Sequence, residues 1–348
     1  MKNMYDRRRF LITTAASAAG MTVLGRGVVL GSPEAEKGKR VGIIGLDTSH
    51  AIAFTKSFNA ANPDPALKGF RVVAACPHGS SLIESSYSRI PKYTEQVKEM
   101  GVKVVDSIPE LLKMCDVVLL ETNDGTLHLE QSVEVMRAGK TLFIDKPVSA
   151  VLADAVAIYD LAKKYGVSLF SSSSLRYTES AQQAAHGEIG AIVGATTYGP
   201  AKLEEHHTDL YWYGIHAVEL MYTVMGTGCT TVTRIYTPTT DVVSGVWEDE
   251  RIGTVRGTRS GIYEFGGTAF GKDKNLSLSG YSGYVPLLKE IAKFFETGVS
   301  PVPAEETLEL YAYMTAADVS KQAGGGPVSL KKVMYRAREE AVALKKKF

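Results

Sequence analysis

Arg40-Val41-Gly42-Ile43-Ile44-Gly45-Leu46-Asp47-Thr48-Ser49-His50 is the stretch on which the fold turns. Residues 40–45 form a short, largely apolar run, the pattern of a strand buried on both faces of a parallel sheet. Gly45 ends the strand, and Asp47 or Ser49 stands where a helix is capped. A helix from Ser49 to Asn59 puts Ala51, Phe54 and Phe58 on one stripe. Strand, tight turn and helix in this order open a βαβ unit.

The units that follow repeat it. Strands are expected at 70–75, 102–105, 116–121, 141–144 and 167–170, and helices at 95–100, 109–114, 127–138 and 151–165. Ser107 with Glu110 forms a capping box, and Gly139 and Gly166 stop helices. This alternation predicts a doubly wound, Rossmann-type parallel sheet over residues 38–172. The second half changes character. Thr-, Val-, Tyr- and Gly-rich runs at 193–198, 232–236, 251–256, 261–265 and 276–278 predict a mainly antiparallel open sheet, interrupted by a helix at 209–224. Helices at 284–296, 304–322 and 330–346 close the chain. The fold class is α/β: a Rossmann domain, an α+β domain over 173–330 and a C-terminal helix over 331–348.

Composition bounds the function. The chain has 348 residues, 45% apolar and 22% charged, enough length for two domains. Thirty-nine basic residues against 38 acidic ones leave a net charge of +1. That balance lacks the basic excess that nucleic-acid binding requires, so no nucleic-acid partner is expected. Cys76, Cys115 and Cys229 make neither a disulfide framework nor a metal finger. No apolar run after residue 31 is long enough to cross a bilayer.

Residues 1–37 read differently. Arg7-Arg8-Arg9-Phe10-Leu11 precedes a mildly apolar stretch to about Leu30. This resembles the twin-arginine export signal, Arg-Arg-x-Phe-Leu, and implies a periplasmic or otherwise exported protein whose mature form has no membrane contact. Residues 1–31 carry five positive charges and one negative, which leaves 34 basic against 37 acidic side chains in the rest. A route that carries folded proteins suits a cofactor inserted before export.

Five stretches in order resemble the glucose–fructose oxidoreductase / inositol dehydrogenase (Gfo/Idh/MocA) family. They are Val41–Gly45; Glu121-Thr122-Asn123 with His128, against Thr-Pro-Asn-x-x-His; Ala138-Gly139-Lys140 with Asp145-Lys146-Pro147, against Ala-Gly-Lys and Glu-Lys-Pro; Gly214-Ile215-His216; and Pro303–Glu306 with Ala316–Ser320. The resemblance spans residues 40–330 and implies a nicotinamide cofactor, NAD or NADP, and a small carbohydrate-type substrate.

The family's first loop carries Gly-x-Gly-x-x-Gly, whose second glycine lets the backbone approach a pyrophosphate. Here Gly45-Leu46-Asp47-Thr48-Ser49-His50 keeps only the first. A carboxylate at Asp47 facing a phosphate costs about 4 kcal/mol at ~4 Å and an effective dielectric of ~20. Thr48 and Ser49 still offer hydroxyl and N–H donors. The second strand ends Ala75-Cys76-Pro77-His78, with no acid for a ribose diol; His78 and Arg89 are basic residues nearby, and either is equally a surface-loop residue. By resemblance, Gly45–His50, Thr122, Asn123, His128, Asp145 and Lys146 contact the cofactor.

Lys146 ends a sheet strand, where ligands of open α/β sheets bind, and Pro147 beyond it suits a cis bond. The family lysine contacts substrate and tunes acid–base chemistry. His216 matches the general acid/base of Asp-x-Gly-x-His, with Trp212 in place of the aspartate. Glu219, Arg176, Trp212 and Tyr213 are the expected substrate residues; Tyr211, Trp212 and Tyr213 also suit a core or an interface, and Arg176 a bridge between domains. His206-His207-x-Asp209 lacks a third ligand, and no metal is assigned. The leading reading is an NAD(P)-dependent oxidoreductase of sugars or cyclitols. An NAD-holding glycosidase without net redox change and a non-catalytic sugar-binding protein remain open. The open sheet suits a homo-dimer or homo-tetramer.

Overall fold

A computed structural model describes residues 36–348. The expected export signal therefore lies almost wholly outside the described residues. The first sheet holds β1 (Arg40–Ile44), β2 (Arg71–Cys76), β3 (Lys103–Val104), β4 (Val117–Leu120), β5 (Thr141–Ile144) and β6 (Leu169–Phe170) in the order β3-β2-β1-β4-β5-β6. Every pairing in it is parallel. This is the doubly wound arrangement, with the chain reversing direction across β1 and β4. Gly45 leaves β1 at φ +95°, and a Cβ there would lie 2.4 Å from the Thr122 amide nitrogen, so only glycine fits.

The crossover helices are α1 (Ser49–Phe58), α2 (Glu84–Tyr87), α3 (Ile90–Glu99), α4 (Ile108–Met114), α5 (His128–Arg137) and α6 (Leu152–Tyr165). The helix expected at 95–100 starts earlier, because Pro91 sits in its first turn, where a missing N–H costs nothing. A 3₁₀ turn at Ser174–Tyr177 and α7 (Glu179–Ala185) lead into the second domain.

There β7 (Ile192–Pro200) is followed by α8 (Ile215–Met225), β8 (Cys229–Thr237), β9 (Thr240–Trp247), β10 (Ile252–Thr258), β11 (Gly266–Gly271) and β12 (Asn275–Leu278). Then come α9 (Val285–Thr297), α10 (Ala304–Gln322), β13 (Val328–Ser329) and α11 (Leu330–Lys345). The seven strands run β12-β11-β7-β10-β9-β8-β13, antiparallel except for β7 with β10. Two expectations are corrected here. Residues 261–265 are a loop, opened by Gly261 at φ +85°, and the strand begins at Gly266. The expected helix at 209–224 begins only at Ile215, since Asp209 is held by Arg234 and Lys321 in an interior ion cluster.

One face of the second sheet packs on α8 and α10; Thr197 Oγ1 donates to the Ala217 carbonyl and Tyr313 OH to that of Val243. The other face presents Tyr198, Ile235, Val246 and Ile252, all exposed. The C-terminal helices return to the first sheet. Leu287, Leu288, Ile291 and Phe294 of α9 join Phe54, Phe58 and Phe70 on one of its faces. Tyr311 and Met314 of α10 and Val333 and Ala337 of α11 join Val133 and Ile158 on the other. No described helix is long and apolar enough to cross a membrane.

Candidate active site

A cleft of about 520 Å³ opens at the carboxyl ends of β1, β4 and β5. Its floor comes from the first sheet, and its far wall from Trp212, Tyr213, His216, Phe265, Tyr281 and Tyr284. A larger groove, about 810 Å³, runs along α6, α10 and α11, away from the strand ends. The smaller cleft carries the chemistry, because strand ends, a helix N-terminus and titratable side chains converge there.

The β1–α1 loop divides its work. Thr48 caps α1, accepting from the Ala51 N–H, and Thr48, Ser49 and His50 line the cleft. Leu46 is fully buried in the core. Asp47 also points inward: it accepts from Ser86 Oγ at 2.6 Å and from the Asn123 N–H at 3.0 Å. Burial pushes its carboxyl up to about 6, against the pull of those two bonds. The expected clash between Asp47 and a phosphate is therefore corrected. The side chain straps the 80–86 segment to the loop instead of facing a ligand.

The β4 and β5 ends divide similarly. Asn123, Asp145 and Lys146 line the cleft. Thr122 packs its backbone on Gly45, and His128 is an interior pin, with Nε2 2.8 Å from the Thr122 carbonyl and Nδ1 3.3 Å from that of Val148. Burial holds its imidazole below the ordinary range. Neither Thr122 nor His128 reaches the cleft, contrary to expectation. The Lys146–Pro147 bond is cis. Lys146 Nζ lies 5.8 Å from the Tyr213 ring, which meets His216 edge-on at 5.7 Å. Sequence reasoning missed one contact entirely: His50 Nδ1 lies 2.8 Å from Asp145 Oδ2, under Tyr284.

From the second domain, Trp212, Tyr213 and His216 line the cleft as expected. His216 Nδ1 is 2.7 Å from Ser173 Oγ, and burial, then Lys146 and His50, lower its pKa well below the usual value. Arg176 and Glu219 do not line the cleft. Arg176 Nε donates to Glu219 at 2.9 Å, and its Nη1 lies 2.7 Å from Glu306. Glu219 also accepts from Ser172 Oγ and the Ser173 N–H. Burial works against the Arg176 charge, but the two glutamates outweigh it. This pair, expected at substrate, positions the Ser172–Ser173 turn that holds His216. His207 accepts from the Gly125 N–H and His206 pairs with Glu204, so the His-His-x-Asp run is structural.

The donor set fits a dinucleotide at its phosphate and nicotinamide ends. The N-terminus of α1, the Thr48 and Ser49 side chains, Asn123 and the exposed Arg89 present donors to one cleft, with Asp47 withdrawn. β2 ends in fully buried Cys76, so the ribose diol meets no carboxylate at that strand end.

Comparison with known proteins agrees with this fold. Residues 39–173 match the GFO_IDH_MocA model, an oxidoreductase family with an NAD-binding Rossmann fold. An inositol 2-dehydrogenase of Salmonella typhimurium is 23% identical over 261 residues, 71% of each chain. A 1,5-anhydro-D-fructose reductase of Ensifer adhaerens is 31% identical over 133 residues, 36% of this chain and 39% of that one. The crystal structure of scyllo-inositol dehydrogenase from Lactobacillus casei with NAD(H) and scyllo-inositol superposes with a TM-score of 0.68 at 15% identity, covering 84% of this chain and 99% of the other. In its order of motifs, its parallel sheet and its strand-end cleft, the chain is similar to the Gfo/Idh/MocA oxidoreductases, whose family model it matches over residues 39–173.

Proposed function

We propose that the protein is an NAD(P)-dependent oxidoreductase acting on a sugar, sugar derivative or cyclitol, with proton transfer by Lys146 and His216. The observation that carries this is the placing of both side chains on one cleft, with Tyr213 between them. A bound nicotinamide supplies a hydride acceptor. His216, kept neutral by burial, takes the hydroxyl proton of the substrate. In the tautomer that donates Nδ1–H to Ser173, its Nε2 carries the free lone pair. Lys146 sits beside the developing alkoxide and stabilises its charge. Trp212 and Tyr213 offer flat apolar faces to a ring bearing hydroxyls. The relatives named for inositol and anhydrofructose chemistry support that substrate class.

The test is reduction of NAD⁺ and of NADP⁺ by a panel of cyclitols and hexoses, with mass spectrometry of any nucleotide released on denaturation. Turnover with one panel member supports the assignment. Released nucleotide without net turnover points to glycosidase-like chemistry, and neither nucleotide nor turnover points to a non-catalytic binding protein.

Export and self-association belong to the same proposal. The Arg7-Arg8-Arg9-Phe10-Leu11 run supports delivery to the periplasm by the twin-arginine route. Replacing all three arginines by lysine in a reporter fusion should abolish it. The exposed apolar face of the second sheet supports a homo-dimer or homo-tetramer, which light scattering measures directly.

A further inference from the structure

We propose that His50, Glu121 and Asp145 form a binding site for one divalent transition-metal ion, of the class of Zn²⁺, Mn²⁺ or Co²⁺. These three residues occupy three motif positions at which the chain departs from the Gfo/Idh/MocA pattern it resembles. His50 stands at the third glycine of the first loop, Glu121 at the threonine of Thr-Pro-Asn, and Asp145 at the glutamate of Glu-Lys-Pro. The positions come from the start of α1 and the ends of β4 and β5, yet one ligand atom from each lies within 4.8 Å of the others.

The second observation is a set of unpartnered atoms. Glu121 is fully buried, and neither of its carboxylate oxygens has a hydrogen-bond partner; Asp145 Oδ1 is likewise buried and unpartnered. A lone buried carboxylate with no donor is expensive, and a cation is one way to satisfy it. The spacing suits coordination. Two ligands each about 2.1 Å from a metal stand roughly 3 Å apart at right angles, close to the 2.8 Å between His50 Nδ1 and Asp145 Oδ2. One imidazole and two carboxylates are a borderline donor set, which favours first-row transition metals over the all-oxygen preference of Ca²⁺ and Mg²⁺.

The neighbours matter. Lys146 bears on both carboxylates, His50 on Asp145, and Asp47 adds a like charge beside Glu121. Lys146 opposes a second cation, so the metal binds only with its ligands deprotonated. Affinity should accordingly fall in acid. His50 and Asp145 line the cleft while Glu121 lies beneath them, so further positions on the metal open toward the cleft.

The experiment is a titration of chelator-treated full-length protein with Co²⁺, read by visible absorption, followed by Zn²⁺ competition and calorimetry. The expected result is one Co²⁺ per chain, displaced by Zn²⁺. Glu121→Gln, isosteric and uncharged, should weaken binding by at least the ~100-fold upper range seen for merely supporting groups. His50→Ala should do the same. His206→Ala, which removes a histidine beside carboxylates outside the cleft, should leave it unchanged. Absence of stoichiometric binding in the parent protein, or binding that survives Glu121→Gln, overturns the proposal. So does loss in His206→Ala alone. Should His50→Ala fail to fold, the Glu121 variant decides.

Discussion

Asp47 and Ser86 stand 39 positions apart and meet in the interior, the serine hydroxyl donating to the carboxylate at 2.6 Å. That bond explains how a loop lacking the second glycine still sits beside a ligand cleft. Asp47 occupies the glycine position but turns beneath the loop, where it also takes the Asn123 N–H. A carboxylate that would repel a phosphate becomes a clamp between three segments.

The clamp has a pH signature. An acid whose pKa is higher folded than unfolded binds its proton more tightly in the native state. Its contribution is therefore present below the unfolded value and lost as pH rises through the folded value. For Asp47 the window runs from about 4, the ordinary value, to about 6. The parent protein should be more stable than Asp47→Asn by the largest margin near the acid end, and the margin should shrink by up to about 3 kcal/mol toward neutrality. Urea unfolding of both proteins across that range measures it, and a margin that grows with pH would contradict the assignment.

Arg176 and Glu219 give a different expectation. Breaking one partner of a buried ion pair typically costs about 3–5 kcal/mol, because the other charge stays buried. Arg176→Ala or Glu219→Leu should lose stability on that scale and disturb His216 through the Ser172–Ser173 turn. Denaturant midpoints should fall in both variants. A variant with unchanged stability and a raised KM would restore Arg176 to the substrate.

Much of this was legible in the sequence, and the limits have physical causes. The parallel sheet was readable because its strands are short apolar runs separated by helices with clear caps, as at Ser107 and Gly166. β9 was not, because Asp241 and Gly245 face inward while Val242 and Val246 face outward, which blurs the alternation, and its turn at Pro238-Thr239 carries no glycine. At the site, Lys146 and His216 were found by motif. The direction of a side chain was not readable: Asp47, His128 and Glu219 each sit one strand end or one helical turn from the cleft and point away from it. Tyr284 and Arg89 reach the cleft from segments with no motif. The His50–Glu121–Asp145 cluster is visible only once β4 and β5 are adjacent.

Arg89 offers a test of the phosphate end. It is exposed, lines the cleft and makes only a long, 3.4 Å contact with the Asp47 carbonyl. Arg89→Ala should leave thermal unfolding nearly unchanged, as exposed contacts contribute little. Nucleotide affinity should fall about tenfold, the effect of losing one charge-assisted hydrogen bond of about 1.5 kcal/mol. Fluorescence titration with NADH and NADPH measures it. A loss confined to NADPH would place Arg89 at a ribose phosphate, and an equal loss would place it at the pyrophosphate.

The acid–base pair makes the sharpest prediction. His216 is buried and lies under the influence of Lys146, and both effects disfavour its charged form. A base in this position must be neutral to accept a proton, so activity should be lost only as pH falls below the ordinary histidine range. Lys146→Ala removes a positive charge from the cleft, and two consequences follow. Turnover should drop by about 10²–10⁴-fold, the scale of an acid–base group, while folding is little affected because Lys146 is half-buried and engages only the face of Tyr213. The His216 imidazole should at the same time become easier to protonate, so its titration, followed by NMR, moves upward in pH. Ser173→Ala removes the partner of Nδ1 and should lower kcat more than it raises KM, since the hydroxyl orients the ring and stands behind it, away from substrate. A Lys146→Ala protein with parental turnover, or a His216 titration that does not move, would remove the pair from the chemistry.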